Sequence, residues 1–146
     1  MTARPRTLVD FDDLKVGDEI PVRSKVVRRE NVKAYADASG DQNPIHQDEN
    51  FAKKVGLPGL IAHGMFTMAH LTSTLTSWLG NPAALRSIDV QFRAVVQMDE
   101  TIEAGGRIAE LDPETRTARL DVWVRVERGG VTEYPIKNSA AEVRLA

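Results

Sequence analysis

Asp41 and His46 stand five positions apart in a run of polar and turn-forming residues, Ser39-Gly40-Asp41-Gln42-Asn43-Pro44-Ile45-His46. Gly40 can stop a preceding helix, because a left-handed backbone costs it little. Pro44 disfavours helical geometry at Asn43 and has no N–H to donate. Asp41 to His46 therefore reads as a fixed loop, in which a carboxylate and an imidazole can point at one spot. Together they can act as base and acid on a single water or hydroxyl. At pH 7 the ionised Asp accepts a proton, and the His titrates close to neutrality. Asn43 precedes a proline and is expected to bond its own loop backbone, a positioning role.

A second stretch, Ala62-His63-Gly64-Met65, complements the first. Gly64 lies where a helical pattern begins. Amides there have no partner inside the helix and sit at the positive end of its dipole. Without a side chain, Gly64 lets a carbonyl oxygen approach its N–H, as a developing enolate oxyanion requires. His63 reads as a packed histidine near a helix start. His63 and His70 share a helix face and could join His46 in a three-histidine metal site. The usual helical zinc spacing is i, i+4, so no metal is expected. Met65, Phe66 and Met68 combine core packing with an expected acyl channel on another face.

The elements that must position these residues follow from periodicity. Residues 1–10 are expected to fray, and Phe11 to Leu14 to turn. A first strand spans Glu19 to Arg28, with Pro21 marking an end or edge. Glu30 to Ser39 is a short helix, and Asp48 caps another from Glu49 to Val55. Ala62 to Leu79 contains no Asp, Glu, Lys or Arg, which predicts a helix buried all round. Its six Ser and Thr residues argue against a membrane span. Ile88 to Val96 and Ala118 to Val126 alternate as strands, with Trp123 on the opposite face. Thr101 to Leu111 is a weaker strand in which Gly105-Gly106 could bulge. Gly129-Gly130 makes a hairpin turn into Thr132 to Leu145.

Tyr35…Ser39-Gly40-Asp41-x-Asn43-Pro44-Ile45-His46, with Ala62-His63-Gly64-Met65 downstream, resembles the MaoC-like (R)-specific enoyl-thioester hydratases. Among these it is most similar to the small actinobacterial 3-hydroxyacyl-thioester dehydratase subunits. The residues alone leave Asp41 open between a turn former and a base; the resemblance favours the base. It implies an α+β hot-dog fold, an antiparallel sheet wrapped around a long central helix, as one domain over residues 1–146. It implies Asp41 and His46 as the catalytic pair and Gly64 as the oxyanion donor. The implied substrate is a trans-2-enoyl or (R)-3-hydroxyacyl thioester of coenzyme A or acyl carrier protein, with no cofactor. The implied assembly is a homodimer or a heterodimer with a homologous hot-dog subunit. Two other readings stand beside it, a hot-dog thioesterase and a non-catalytic acyl-binding subunit.

Composition bounds the rest. With 146 residues, 42% hydrophobic and 27% charged, the chain is long enough for one domain with a core. A net charge of −2 gives no sign of a nucleic-acid surface. Zero cysteines exclude disulfides and thiol nucleophiles and fit the cytoplasm. The first residues lack the continuous apolar run of a signal peptide.

Overall fold

Ala118, Leu120, Val122, Val124 and Val126 are all at most 2% exposed, and every second residue of their strand faces the core. That strand is the centre of a five-stranded sheet in a computed structural model that describes residues 6–146. In chain order the strands are β1 (Arg23–Val26), β2 (Leu85–Asp89), β3 (Thr101–Asp112), β4 (Thr117–Arg128) and β5 (Val131–Arg144). They lie side by side as β1-β3-β4-β5-β2, and every neighbouring pair is antiparallel. Gly129 and Gly130, at φ 56° and 79°, supply the two positive-φ positions of a tight β4–β5 hairpin.

The sheet curls around α3 (Gly64–Leu79), whose Leu71, Leu75 and Leu79 are fully buried against it. Burying each such leucine is worth about 1.5–3 kcal/mol relative to exposing it. The helix is not buried all round, which corrects the expectation from its missing charges. Met65 is 53% exposed, and Ala69, Ser73 and Ser77 continue the same open stripe at i, i+4 spacing. The sheet covers one side of the helix and this stripe faces outward. None of the described helices is long and apolar enough to cross a membrane.

Two shorter helices precede α3 in the chain, and the first flanks a groove along it. α1 (Arg29–Ser39) ends at Gly40, whose φ of 79° places it in the left-handed region. α2 (Glu49–Lys54) starts at Asp48, whose carboxylate accepts the Phe51 N–H. Such a cap contributes ~1 kcal/mol.

Three further expectations are corrected. The first strand is shorter than Glu19–Arg28, because Pro21 cannot donate to a ladder and Glu19 makes only an isolated bridge to Arg107. The strand expected to reach Val96 leaves the ladder after Asp89. Opposite it, Pro135 has no N–H and Asn138 turns to φ 52°, so the pairing lapses. Residues 90–97 are held instead by scattered bonds: Gln91 N–H to Ser139 Oγ, Arg93 N–H to Pro135 O, and an isolated bridge from Phe92 to Ile136. Gly105 and Gly106 form no bulge; the register shifts between Ile108 and Glu110. The Trp123 ring lies over Gly105, where an added Cβ would meet it at 2.6 Å.

Of the N-terminal stretch expected to fray, residues 1–5 lie outside the described residues. From Arg6 the chain is tied down. Its carbonyl accepts from Asn81, Leu8 N–H donates to Leu79 O, and Phe11 N–H donates to Ala146 O.

Candidate active site

The loop between α1 and α2 folds as its sequence dictates. Asp41 Oδ1 accepts the Asn43 N–H at 3.2 Å, and Asn43 Oδ1 accepts the Ile45 N–H at 3.2 Å. These two Asx turns lead into a single 3₁₀ turn, Pro44–His46, with the proline in its first turn. Asn43 thus spends its side chain on the loop. The turn drives His46 inward to 8% exposure, while the Asp41 side chain stays 54% exposed.

His46 Nδ1 lies 2.7 Å from the Ile61 carbonyl. A carbonyl only accepts, so Nδ1 carries the proton and the neutral ring presents a free Nε2. Burial is the main influence on this imidazole and lowers its pKa below the ordinary 6.5. The Ile61 bond opposes that, the neighbouring His63 reinforces it, and the Asp41 carboxylate opposes it. His46 is therefore neutral at neutral pH.

α3 begins at the same place. Gly64 and His46 line one cavity of about 270 Å³, walled by Ile45, Ile61, Phe92, Val95, Val96 and Pro135. Gly64 opens the helix, so its N–H is among the amides without an intrahelical partner. A Cβ there would sit 3.2 Å from the Phe92 ring, so the missing side chain is what lets that wall close in.

Asp41 and His46 are brought together with a third group, His63. One carboxylate oxygen and one nitrogen of each ring lie within 4.8 Å of one another. One water can span that distance at ordinary hydrogen-bond lengths. The His46 and His63 rings stack at 3.8 Å with 24° between planes. In-plane lone pairs of nearly parallel rings do not converge on one ion, so the trio is a poor tetrahedral metal site. His70 is elsewhere, with Nε2–H donated to Arg23 O.

Met65 and Phe66, expected to line an acyl channel, stand apart from the cavity at His46. Met65 projects outward, and Phe66 is a core residue, 7% exposed, that faces a separate groove beside Tyr35 and Ala69. Helical side chains 65 and 66 point away from the face that Thr67 turns toward the cavity. The apolar wall comes instead from Phe92, Val95, Val96 and Pro135. Their local sequence reads as strand, and no signal within it marks a pocket.

Residues 13–127 match the family model described as MaoC like domain. The 3-hydroxybutyryl-CoA dehydratase of Methylorubrum extorquens is 37% identical over 111 residues, 75% of this chain and 70% of that protein. The (R)-specific enoyl-CoA hydratase of Rhodospirillum rubrum is 28% identical over 117 residues, 80% of this chain and 81% of that protein. A solved structure titled MaoC-like dehydratase superposes with a TM-score of 0.88 at 38% identity. That superposition covers 98% of this chain but only 44% of the other, so this chain spans less than half of it.

Proposed function

The chain belongs to the MaoC-like family and has its hot-dog fold, and on that premise we propose that it is a hydro-lyase. It interconverts trans-2-enoyl and (R)-3-hydroxyacyl thioesters of coenzyme A or acyl carrier protein. The observation that carries this reading is a carboxylate and a buried imidazole close enough to share one water, the imidazole lining an apolar cavity together with a helix N-terminal glycine.

In the hydration direction, Asp41 and the Nε2 of His46 hold a water between them and take up its proton. The hydroxide equivalent bonds to C3 and the C2–C3 π electrons move toward the thioester. The Gly64 N–H stabilises the oxygen as it gains enolate charge. The pair then returns the proton to C2, so one water is consumed and no electrons are transferred. Asn43 holds the loop, and the acyl tail occupies the Phe92–Val95–Val96 cavity. No cofactor enters this scheme, and a chain without cysteine suits the cytoplasm.

The assembly we favour is a dimer, either with a second copy or with a homologous hot-dog subunit. The exposed Met65 and Ala69 at the start of α3 support this, since the five-stranded sheet leaves them uncovered, whereas farther along Arg23 donates to Ser73 and Ser77.

Purified protein with crotonyl-CoA tests the reaction. Loss of the enoyl absorbance with the thioester intact is the expected result. Release of free thiol would make it a thioesterase, and no turnover would leave a binding subunit. Light scattering at micromolar concentration tests the assembly: a monomer that hydrates crotonyl-CoA would show that activity does not require a dimer.

A further inference from the structure

We propose that His63, which takes no part in the proton transfers above, is a positioning residue that fixes Asp41 through its backbone carbonyl. The inference rests on the reading of Asp41 as half of the reacting pair.

His63 is 2% exposed and sits at the cap of the central helix. Its Nε2 lies 3.0 Å from the Asp41 carbonyl oxygen, 22 residues away in sequence. A carbonyl can only accept, so the proton is on Nε2. In the neutral ring Nδ1 is then a bare acceptor, and it is buried with no partner among the described residues. Leaving a buried nitrogen unpaired is unfavourable. A phenylalanine would fill the same space without that penalty. What a histidine adds here is its Nε2–H.

That hydrogen bond has no substitute in the loop. The other bonds found for residues 41–43 are local: Asp41 N–H to Ser39 Oγ, Gln42 to Asp37, Gln47 to Gln42, Asn43 N–H to Asp41 Oδ1, and those on the Asn43 oxygens. Among the described residues, only His63 ties this exposed strip to the buried helix. The His63 ring is itself held between two others. Tyr35 meets it edge-on at 5.0 Å, and His46 stacks on it at 3.8 Å. One buried ring therefore touches the ring of one reacting residue and the backbone of the other. It fixes the spacing on which a shared water depends.

Two substitutions separate the ring from its proton. His63→Phe keeps the stack and removes the donor, while His63→Gln keeps an amide donor of similar reach and removes the ring. His63→Phe should lower kcat for crotonyl-CoA hydration tenfold or more and leave KM within about twofold, because misplacing a reacting group is a positioning loss. His63→Gln should recover most of it. Placed in Asp41→Asn, His63→Phe should cost little further, since residues acting as a unit are not additive. An unchanged kcat in His63→Phe, or a full multiplicative loss in the Asp41→Asn background, would overturn the proposal. Nitrogen-15 NMR of the wild-type chain needs no variant. A proton on Nε2 of His63 is expected, and a proton on Nδ1 alone would overturn it. A wild-type protein that hydrates no enoyl thioester would bring down the reaction, whereas the NMR result bears on the contact alone.

Discussion

Arg128 and Asp41 each belong to a polar cluster bordering the same cavity, and the two clusters are built in opposite ways. Around Arg128 every charge is answered. Its Nε and Nη2 reach both oxygens of Glu100 at 2.6 and 2.7 Å, Nη1 reaches Glu133, and Nη2 also donates to Val95 O. Glu100 accepts the Gln97 N–H as well, and the Arg128–Glu100 side chains are only 22% and 16% exposed. Around Asp41 the pairing is left incomplete. One carboxylate oxygen has a single local bond, and each nearby imidazole spends one nitrogen on a carbonyl and keeps the other unspent. A cluster with every valence filled holds a wall in place. A cluster with vacant acceptors is available to a reactant.

The largest effect that would break this contrast lies at the vacant cluster. Asp41→Asn and His46→Gln should each lower turnover with crotonyl-CoA by ~10²-fold or more, the scale of positioned acid–base groups. Asp41→Asn keeps an oxygen for the Asn43 N–H and should melt close to wild type, whereas His46→Gln also gives up the stack on His63 and should melt somewhat lower. Near-normal turnover in either variant would remove that residue from the pair.

Arg128→Met should do the reverse. Removing the cation strands Glu100, and charge-assisted bonds of this kind are worth about 1.5–3 kcal/mol each. Stability should fall by roughly that amount, read by thermal melting, while turnover per folded molecule changes less than tenfold. A hundredfold loss of kcat without destabilisation would assign Arg128 to the chemistry instead.

Acid sharpens the comparison with a smaller effect. His46 and His70 both titrate below 6.5, chiefly because burial disfavours their charged forms. The unfolded chain therefore binds protons on these rings first, and stability falls as pH drops from 6.5 toward the lower folded values. Burial raises the Glu100 carboxyl, but the Arg128 bonds, the Gln97 N–H and the Arg128 charge together bring it below its ordinary 4.5. Its contribution is present above 4.5 and lost only as pH falls through the depressed value. The acid limb of kcat/KM should thus be centred below 6.5, and the clamp should fail only below 4.5. A limb centred above 6.5 would contradict a buried, neutral His46.

Much of this was legible from local signals. Gly40, Asn43-Pro44 and Asp48 act on their immediate neighbours, so the loop and its flanking helices followed from them. The alternation of Ala118 to Val126 identified a strand because each side chain is sorted by one nearby core. What the sequence hid depends on distant partners. β2 ends early because of Pro135 and Asn138, which lie more than forty positions downstream. Absence of charge in α3 did not distinguish a buried face from the open stripe at Met65, Ala69, Ser73 and Ser77. The cavity wall at Phe92 looked like strand, and the contact from His63 to Asp41 has no trace in either segment.

The lapse in pairing after Asp89 also has a kinetic consequence. Amides in residues 90–97 are protected by a serine hydroxyl, the Pro135 carbonyl and the Glu100 carboxylate rather than by a continuous ladder. Deuterium should therefore enter this segment through small local openings, well before it enters β3 and β4, which exchange only when larger units open. Equal protection of the two regions would show the segment to be part of the rigid sheet. With the early exchange expected, the 270 Å³ of the cavity describes a closed state. The bulk the cavity accepts is then set by how often one wall breathes.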